Sequence, residues 1–432
     1  MNNKVSELSD DLEAVSVVLG ELKRELRTHR RFISTLLHIF HGITDFRESY
    51  KVKYNLENII CMCLLIAMRG KFTSFYNAAL FIKIRADYFR KFNLIKDNEI
   101  PSHDTLRRIF MNIDANELRD VIIKRIQEFL KKIVSAKNEN DEKSDKKTVR
   151  LLSGDGKNVR GSGRKSGKNS TEGKRNVNVF NFYDASSGCC LTSIPLEDKD
   201  SEIPAFQQVL NTFKLNGAMI TADALHCQRK TFEIITAKKG EYTVKVKDNQ
   251  PSLKQHIIDV LEQKKDKCVK ESFNNCDYEI FLIDYKITEE DFPGAKAFIC
   301  MHSHKRKSQA NYNPEAQYFI SSADNIQLIM EAIDNRWSIE SGLHWWKDDF
   351  SKEDECTFTD QNAIKVMTTL NNISYALYRI ASAIFDDSCM AETRIRFEEC
   401  PEEMLAKLVP LLVGRNLSNL LKENMKGRKK AE

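Results

Sequence analysis

Long apolar runs are missing from this 432-residue sequence. The longest, residues 59–68, is ten residues and stops at Arg69, about half of what a bilayer span needs. No membrane partner is therefore expected. The first thirty residues are amphipathic and rich in Asp and Glu, with no apolar signal core, which argues against secretion. The eleven cysteines are scattered, odd in number and without a Cys-x-x-Cys pair. That excludes a disulfide scaffold or zinc ribbon and fits reduced thiols in a cytoplasm. No fixed-period repeat is present, so a solenoid is excluded. The net charge of +5 is too small to choose a partner by itself, and local clustering has to do so.

What is present is an ordinary globular balance, 41% hydrophobic and 30% charged, which excludes wholesale disorder. The length allows roughly three domains at about 150 residues each. Residues 1–135 read as a helical N-terminal domain. Leu12, Val15, Val18, Leu19 and Leu22 recur at helical spacing, residues 55–68 make a buried apolar helix, and Pro101-Ser102 opens a helix carrying Arg107 and Arg108. Residues 136–148 are a charged linker. Residues 149–385 then change period. Strand-like runs at 149–152, 176–183, 189–194, 218–221 and 242–246 are interleaved with helices at 203–213 and 228–237, which predicts an α/β layer with a mixed sheet. Residues from about 252 to 322 read as a β-rich insertion. Residues 325–347 are expected to form one long helix and residues 363–385 another. Residues 386–432 are a C-terminal helical segment and basic tail.

Two aspartates follow strand-like runs: Asp155 in Gly154-Asp155-Gly156-Lys157, and Asp223 after Thr221-Ala222. Working groups of open α/β sheets gather at strand ends, although an Asp there can equally just cap a turn. In residues 336–347, Glu340, His344 and Lys347 share a helical face, with Arg336 one turn before. All three tryptophans of the protein lie in this stretch. The alternative is a solvated ion-pair helix. Three converging carboxylates suit Mg²⁺, which takes hard oxygen ligands, and Arg336 and Lys347 could hold phosphate. Residues 157–175 carry seven Lys or Arg against one Glu, with four Gly. Lys157, Arg160, Arg164 and Lys165 make this a basic loop that would attract a polyanion, or else a solvated hairpin. His302 and His304 lack further ligands for a metal site, and Cys227 beside His226 lacks an orienting third group for a nucleophile.

Seven short strings, in order, resemble insertion-sequence transposases of the DDE superfamily, in the ISAs-type (H-repeat-associated) branch. They are Pro101-Ser102-His103-Asp104-Thr105; Asp155-Gly156-Lys157; Ser201-Glu202-Ile203-Pro204-Ala205; Thr221-Ala222-Asp223-Ala224 with Cys227-Gln228; Lys247-Asp248-Asn249-Gln250; residues 318–321; and Trp337-Ser338-Ile339-Glu340 with Leu343-His344-Trp345. They cover roughly residues 46–380. The resemblance implies a ribonuclease H-like catalytic core preceded by a helical domain that binds DNA ends. It also implies a triad of Asp155, Asp223 and Glu340 binding two Mg²⁺, with Mn²⁺ able to substitute. Related transposases space Tyr, Arg, Glu and Lys with two, three and six residues between successive members. Arg336, Glu340 and Lys347 fit, while Ile333 holds the Tyr position. Asp248 stands where the branch has Gly, before Asn249 and Gln250, which are expected to contact DNA.

The implied function is cleavage of double-stranded DNA at element terminal repeats by metal-activated water, then strand transfer into target DNA. The implied state is a homodimer on paired ends, cytoplasmic and nucleoid-associated. A catalytically impaired DNA-binding descendant, and a metal-dependent nuclease without strand transfer, are the alternatives.

Overall fold

The computed structural model describes residues 27–96, 99–121, 149–163, 176–196, 201–284, 292–303, 316–385, 387, 389–399 and 408. The expected helix around Leu12–Leu22, the linker at 136–148, Arg164 and Lys165, His304 and the basic tail lie outside the described residues. The chain divides into two compact units, Met1–Ser144 with Val366–Glu432, and Asp145–Lys365. The division falls within the helix Gln361–Phe385, whereas the sequence pattern kept that helix with the sheet.

The first unit is helical, as its periodicity predicts. α1 (Leu56–Ala67) is buried on almost every side, which matches its unbroken apolar sequence. α2 (Phe75–Ile84) and α3 (Ala86–Lys91) follow. α4 (His103–Phe110) starts where expected, because the Ser102 hydroxyl accepts from the Thr105 N–H at 3.2 Å. Leu106, Ile109 and Phe110 face inward, while Arg107 and Arg108 are exposed. The connection from Lys91 to His103 is too long for the tight turn of a helix-turn-helix.

The second unit is built on β1 (Arg150–Val159), β2 (Val177–Asp184) and β3 (Cys189–Leu196), then α5 (Glu202–Thr212), β4 (Ala218–Ala222), α6 (Arg229–Ala237) and β5 (Glu241–Val246). This is the expected order of three strands, helix, strand, helix, strand. α7 (Pro251–Gln263) leads to β6 (Val269–Phe273), β7 (Cys276–Leu282), β8 (Ala297–Ser303) and β9 (Gln317–Ser321). The nine strands form one mixed sheet, ordered β3-β2-β1-β4-β5-β9-β8-β7-β6. β1 pairs antiparallel to β2 and parallel to β4, and β4 is parallel to β5. Three antiparallel strands flanked by two parallel ones, with helices between, is the ribonuclease H-like core. The insertion is β-rich as expected, but its strands continue the main sheet through the β5–β9 pairing.

Alternation of side chains across each strand divides the core in two. Leu152, Phe180, Ile220, Ala222 and Val244 pack beneath α5, α6 and α7. Leu151, Met219, Ile299 and Phe319 face the other way, against Ile329, Ala332 and Ile333 of α8 (Ile326–Asn335). The long helix expected at 325–347 is modified. After α8 the backbone stays right-handed, but residues Ile339–His344 form a π-helical turn in which the Trp345 N–H reaches the Glu340 carbonyl, and α9 (Trp345–Asp349) follows. α10 (Gln361–Phe385) and α11 (Met390–Glu399) belong mostly to the first unit, where the Tyr378 hydroxyl donates to the Met68 carbonyl at 2.9 Å.

One glycine is dictated by packing. A Cβ at Gly154 would lie 2.7 Å from Phe180 Cζ and 2.8 Å from Phe206 Cε2, and both rings are fully buried. Gly154→Ala is expected to lower stability by about 1–3 kcal/mol through overpacking, measured as a lower urea midpoint with unchanged slope. An unchanged midpoint would show that the rings have room to yield.

Candidate active site

Strand register puts the two aspartates side by side. Gly154 of β1 is paired with Ala222 of β4, so Asp155 and Asp223 are the next residues on neighbouring parallel strands, about 5 Å apart at the backbone. Asp155 does not cap a turn, the alternative its position after a strand-like run allowed. It lies within β1, opposite Asn181 of β2. Asp223 follows the last residue of β4 and precedes a short helical turn, Ala224–His226. Both side chains stand on the α8 face, as the Ser153–Thr221 hydroxyl contact of 2.8 Å two residues earlier on each chain segment requires.

Glu340, on the π turn, reaches the same place. Burial, followed by the charges of Asp223, Glu340 and Glu202, pushes the Asp155 carboxyl up to about 7. Burial also raises Glu340, against the pull of Arg336. Arg336 ion-pairs with Asp223, lies 3.8 Å from Glu340, and stacks 4.2 Å from the Trp337 ring centroid. Its buried Nε has no hydrogen-bond partner among the described residues. Among the described residues, no group of three His, Cys, Asp or Glu side chains is set to hold a metal ion as it stands. The guanidinium, drawn to Asp223 and Glu340, supplies the positive charge among them.

The remaining expected residues take varied places. The helical face at 336–347 is charged, but it is not solvated. Lys347 is 1% exposed, with Nζ 2.8 Å from Asn181 Oδ1 and 3.9 Å from Glu353. His344 contacts Asn181 at 3.2 Å through Nε2 and Asp155 Oδ2 at 3.5 Å through Nδ1. Burial, then the charges of Lys347 and Lys157, push this imidazole down to about 3, so it is neutral at any ordinary pH.

Lys157 is on β1 rather than on a loop, and it is buried, 2.5 Å from Asp348 and 3.3 Å from Asp354. Arg160 is largely exposed, 3.5 Å from Asp354. Asn249 and Gln250 donate to the carbonyls of Ala224 and Cys227 at 2.7 and 2.9 Å, which pins the loop that follows Asp223. Arg107 and Arg108 are in the other unit. Cys227 is buried and its thiol is pushed up to about 12 by burial, while His226 turns instead to Glu202 at 3.2 Å. No nucleophile is formed there.

Three residues near the acids were not singled out from sequence. Asn181 sits between Phe180 and Phe182, and strand alternation alone turns it to the opposite face from those rings. Glu202, inside one of the resembling strings, rests against β1 because Gly156 has no side chain: a Cβ there would be 2.5 Å from its carboxylate. Lys245 is on β5, facing the acids, with burial and then Arg336 and Lys247 pushing its amine down to about 8.

Residues 146–377, more than half of the chain, match the family described as Transposase DDE domain, and residues 37–125 match that described as DDE_Tnp_1-associated. The chain belongs to the DDE transposases. It is 27% identical over 396 residues to "Putative transposase YncI" of Escherichia coli O157:H7, covering 87% of this chain and 95% of that protein. It is 25% identical over 353 residues to "H repeat-associated putative transposase YhhI" of Escherichia coli strain K12, covering 77% and 87%. These relatives bear out the expected branch. A solved structure of the piggyBac transposase synaptic complex with hairpin DNA aligns over 93% of this chain and 81% of that one, with a TM-score of 0.42 and 12% identity. No described helix is long and apolar enough to cross a membrane.

The raised Asp155 carboxyl has a consequence for stability. Its folded value is above its unfolded one, so its contribution is greatest below about pH 4 and is lost as the pH rises through about 7. In metal-free protein, Asp155→Asn is expected to raise stability at pH 8 by about 2–4 kcal/mol, with the gap closing towards pH 4. Thermal midpoints across that range test it, and a lower midpoint for the variant at pH 8 would contradict the assignment.

Proposed function

We propose that the chain is a working DNA transposase whose Asp155, Asp223 and Glu340 form the metal-binding triad. The observation that carries this is the pairing of β1 with β4, which sets two carboxylates beside each other on one sheet face under the element that bears the third. Like charges gathered in a half-buried place are costly without a cation, and hard oxygens are the donors Mg²⁺ takes. Two Mg²⁺, or Mn²⁺ in their place, would activate the attacking water and stabilise the oxygens entering and leaving phosphorus.

The residues' own parts follow from their positions. Asp155 is held on a rigid central strand, and Asp223 on a loop tied down by Asn249 and Gln250. Arg336 has an unpartnered Nε and can offer its fork to a DNA phosphate. Lys245 is a second cation on this face. Lys347 and Lys157 are consumed by internal partners and act by holding the site together. Water attacks the phosphorus at the element end, breaking its bond to the 3′ oxygen and leaving a 3′ hydroxyl and a 5′ phosphate. That hydroxyl then attacks a target phosphodiester, joining the strands and releasing the target's own 3′ oxygen. No covalent link between protein and DNA is needed. Because two ends must be cut and joined together, two copies of the chain act on paired ends.

The two departures from the branch pattern leave the triad intact, which favours an active enzyme over an impaired descendant. Ile333 packs in the core beneath α8. Asp248 is exposed and paired with Lys254 at 2.7 Å.

Asp155→Asn, Asp223→Asn and Glu340→Gln are each expected to abolish Mg²⁺-dependent nicking of DNA carrying the flanking terminal repeats, with end binding retained. Full nicking by any of them would reject the triad. Arg107→Ala with Arg108→Ala is expected to weaken end binding by roughly tenfold and to flatten its salt dependence. Unchanged binding would move end recognition away from α4.

A further inference from the structure

The position of Lys347 poses a question that the proposed function leaves open. Its ammonium is buried among internal partners, yet it lies only seven residues beyond Glu340. Its contacts lead back to the other end of the triad. Nζ donates to Asn181 Oδ1 at 2.8 Å, and the Ser193 hydroxyl donates to the same atom at 2.7 Å. Two donors converging on one end of the amide make that end the oxygen, because an ammonium has no acceptor to offer. The other end is then NH₂, and it lies 3.2 Å from His344 Nε2. An N–H facing Nε2 requires a lone pair there, so the ring carries its proton on Nδ1. That nitrogen faces Asp155 Oδ2 at 3.5 Å.

Register and helix geometry both serve this chain of contacts. Asn181 is the direct cross-strand partner of Asp155, and it sits on the same face because the strand alternates. His344 closes the π-helical turn that begins at Ile339, one residue before Glu340. Widened turns of this kind are enriched at functional sites. Along Lys347–Asn181–His344 each donor or acceptor role is dictated by the one before it, and this leaves the His344 Nδ1–H facing the Asp155 carboxylate.

We propose that His344 is a positioning residue for Asp155, held as the Nδ1–H tautomer by Asn181 and Lys347 so that its N–H fixes one carboxylate oxygen. The proposal rests on the reading of Asp155 as a metal ligand. An oriented carboxylate gives up less rotational freedom when it takes a cation, and outer partners of this kind typically contribute 10–100-fold to metal affinity. Lys347 therefore acts inward, through the amide, rather than on phosphate.

Two measurements test this. The first uses wild-type, full-length, metal-free protein with ¹⁵N-labelled histidine. Two-bond nitrogen–proton correlations are expected to show the His344 proton on Nδ1, the signal being assigned by its loss in His344→Gln. A proton on Nε2 would overturn the proposal, whatever the variants do.

The second measures binding of Mn²⁺ alone by electron paramagnetic resonance. His344→Phe, which fills the same space without a donor, is expected to bind roughly tenfold more weakly or worse, with its urea midpoint unchanged. His344→Gln, which can still offer an N–H, is expected to recover most of the affinity. Wild-type affinity in a folded His344→Phe would overturn the proposal, as would a His344→Gln affinity as low as that of Asp155→Asn. Asp155→Asn separates the two levels of the argument. If it loses Mn²⁺ while His344→Phe does not, only the positioning role fails. If Asp155→Asn binds as wild type does, the metal-ligand reading fails and takes the His344 proposal with it. Should His344→Phe not fold, the tautomer in wild type and the affinity of His344→Gln decide.

Discussion

The repulsion between carboxylates crowded side by side on two adjacent parallel strands is the constraint around which the sheet-bearing unit is organised. The pairing of Gly154 with Ala222 leaves Asp155 and Asp223 no freedom to separate, and the π turn adds Glu340. Taking such charges partly out of water is unfavourable unless counter-charge or hydrogen-bond donors meet them. Arg336 meets Asp223 and Glu340, and His344 faces Asp155. Natural sites that hold this kind of electrostatic strain do so at a cost in stability, and the raised carboxyl of Asp155 is where that cost is visible.

The basic residues divide according to whether an element covers them. Lys157 and Lys347 point into the unit, and a buried ammonium must be paired, so Asp348, Asp354, Glu353 and Asn181 gather around them. These partners come from α9, the segment after it and β2, and they clamp α9 and that segment against β1. Arg160, just after the same strand, stays largely exposed, and so do Arg107 and Arg108 on α4. Positive charge thus has two tasks here. Inside, it is met by carboxylates and an amide, and outside it stays exposed to solvent. Net charge could not separate the two, because +5 is a sum over both.

Much of the architecture was legible along the chain. The order of three strands, helix, strand, helix, strand follows from runs of β-branched and aromatic residues broken by amphipathic segments. The Ser102 cap and the all-apolar α1 behaved as local rules require. The alternatives weighed against the site fail for a common reason. Asp155 does not cap a turn: Gly154 beside it admits the Phe180 and Phe206 rings, and Gly156 admits Glu202. The charged face on residues 336–347 is not a solvated ion-pair helix, because β1 and β2 lie against it. In each case a residue type serves a distant neighbour rather than its own segment.

What the sequence by itself determined is therefore most of the elements and their order, since these depend on spacing within about ten residues. What only the tertiary structure decided is which side chains share a space. Register brought Asn181 opposite Asp155, the β5–β9 pairing joined the insertion to the main sheet, and burial turned two lysines inward. The physical reason is that propensity and periodicity act through the local backbone. Burial and charge pairing depend on contacts between residues more than a hundred positions apart, as the meeting of Asp223 with Arg336 shows.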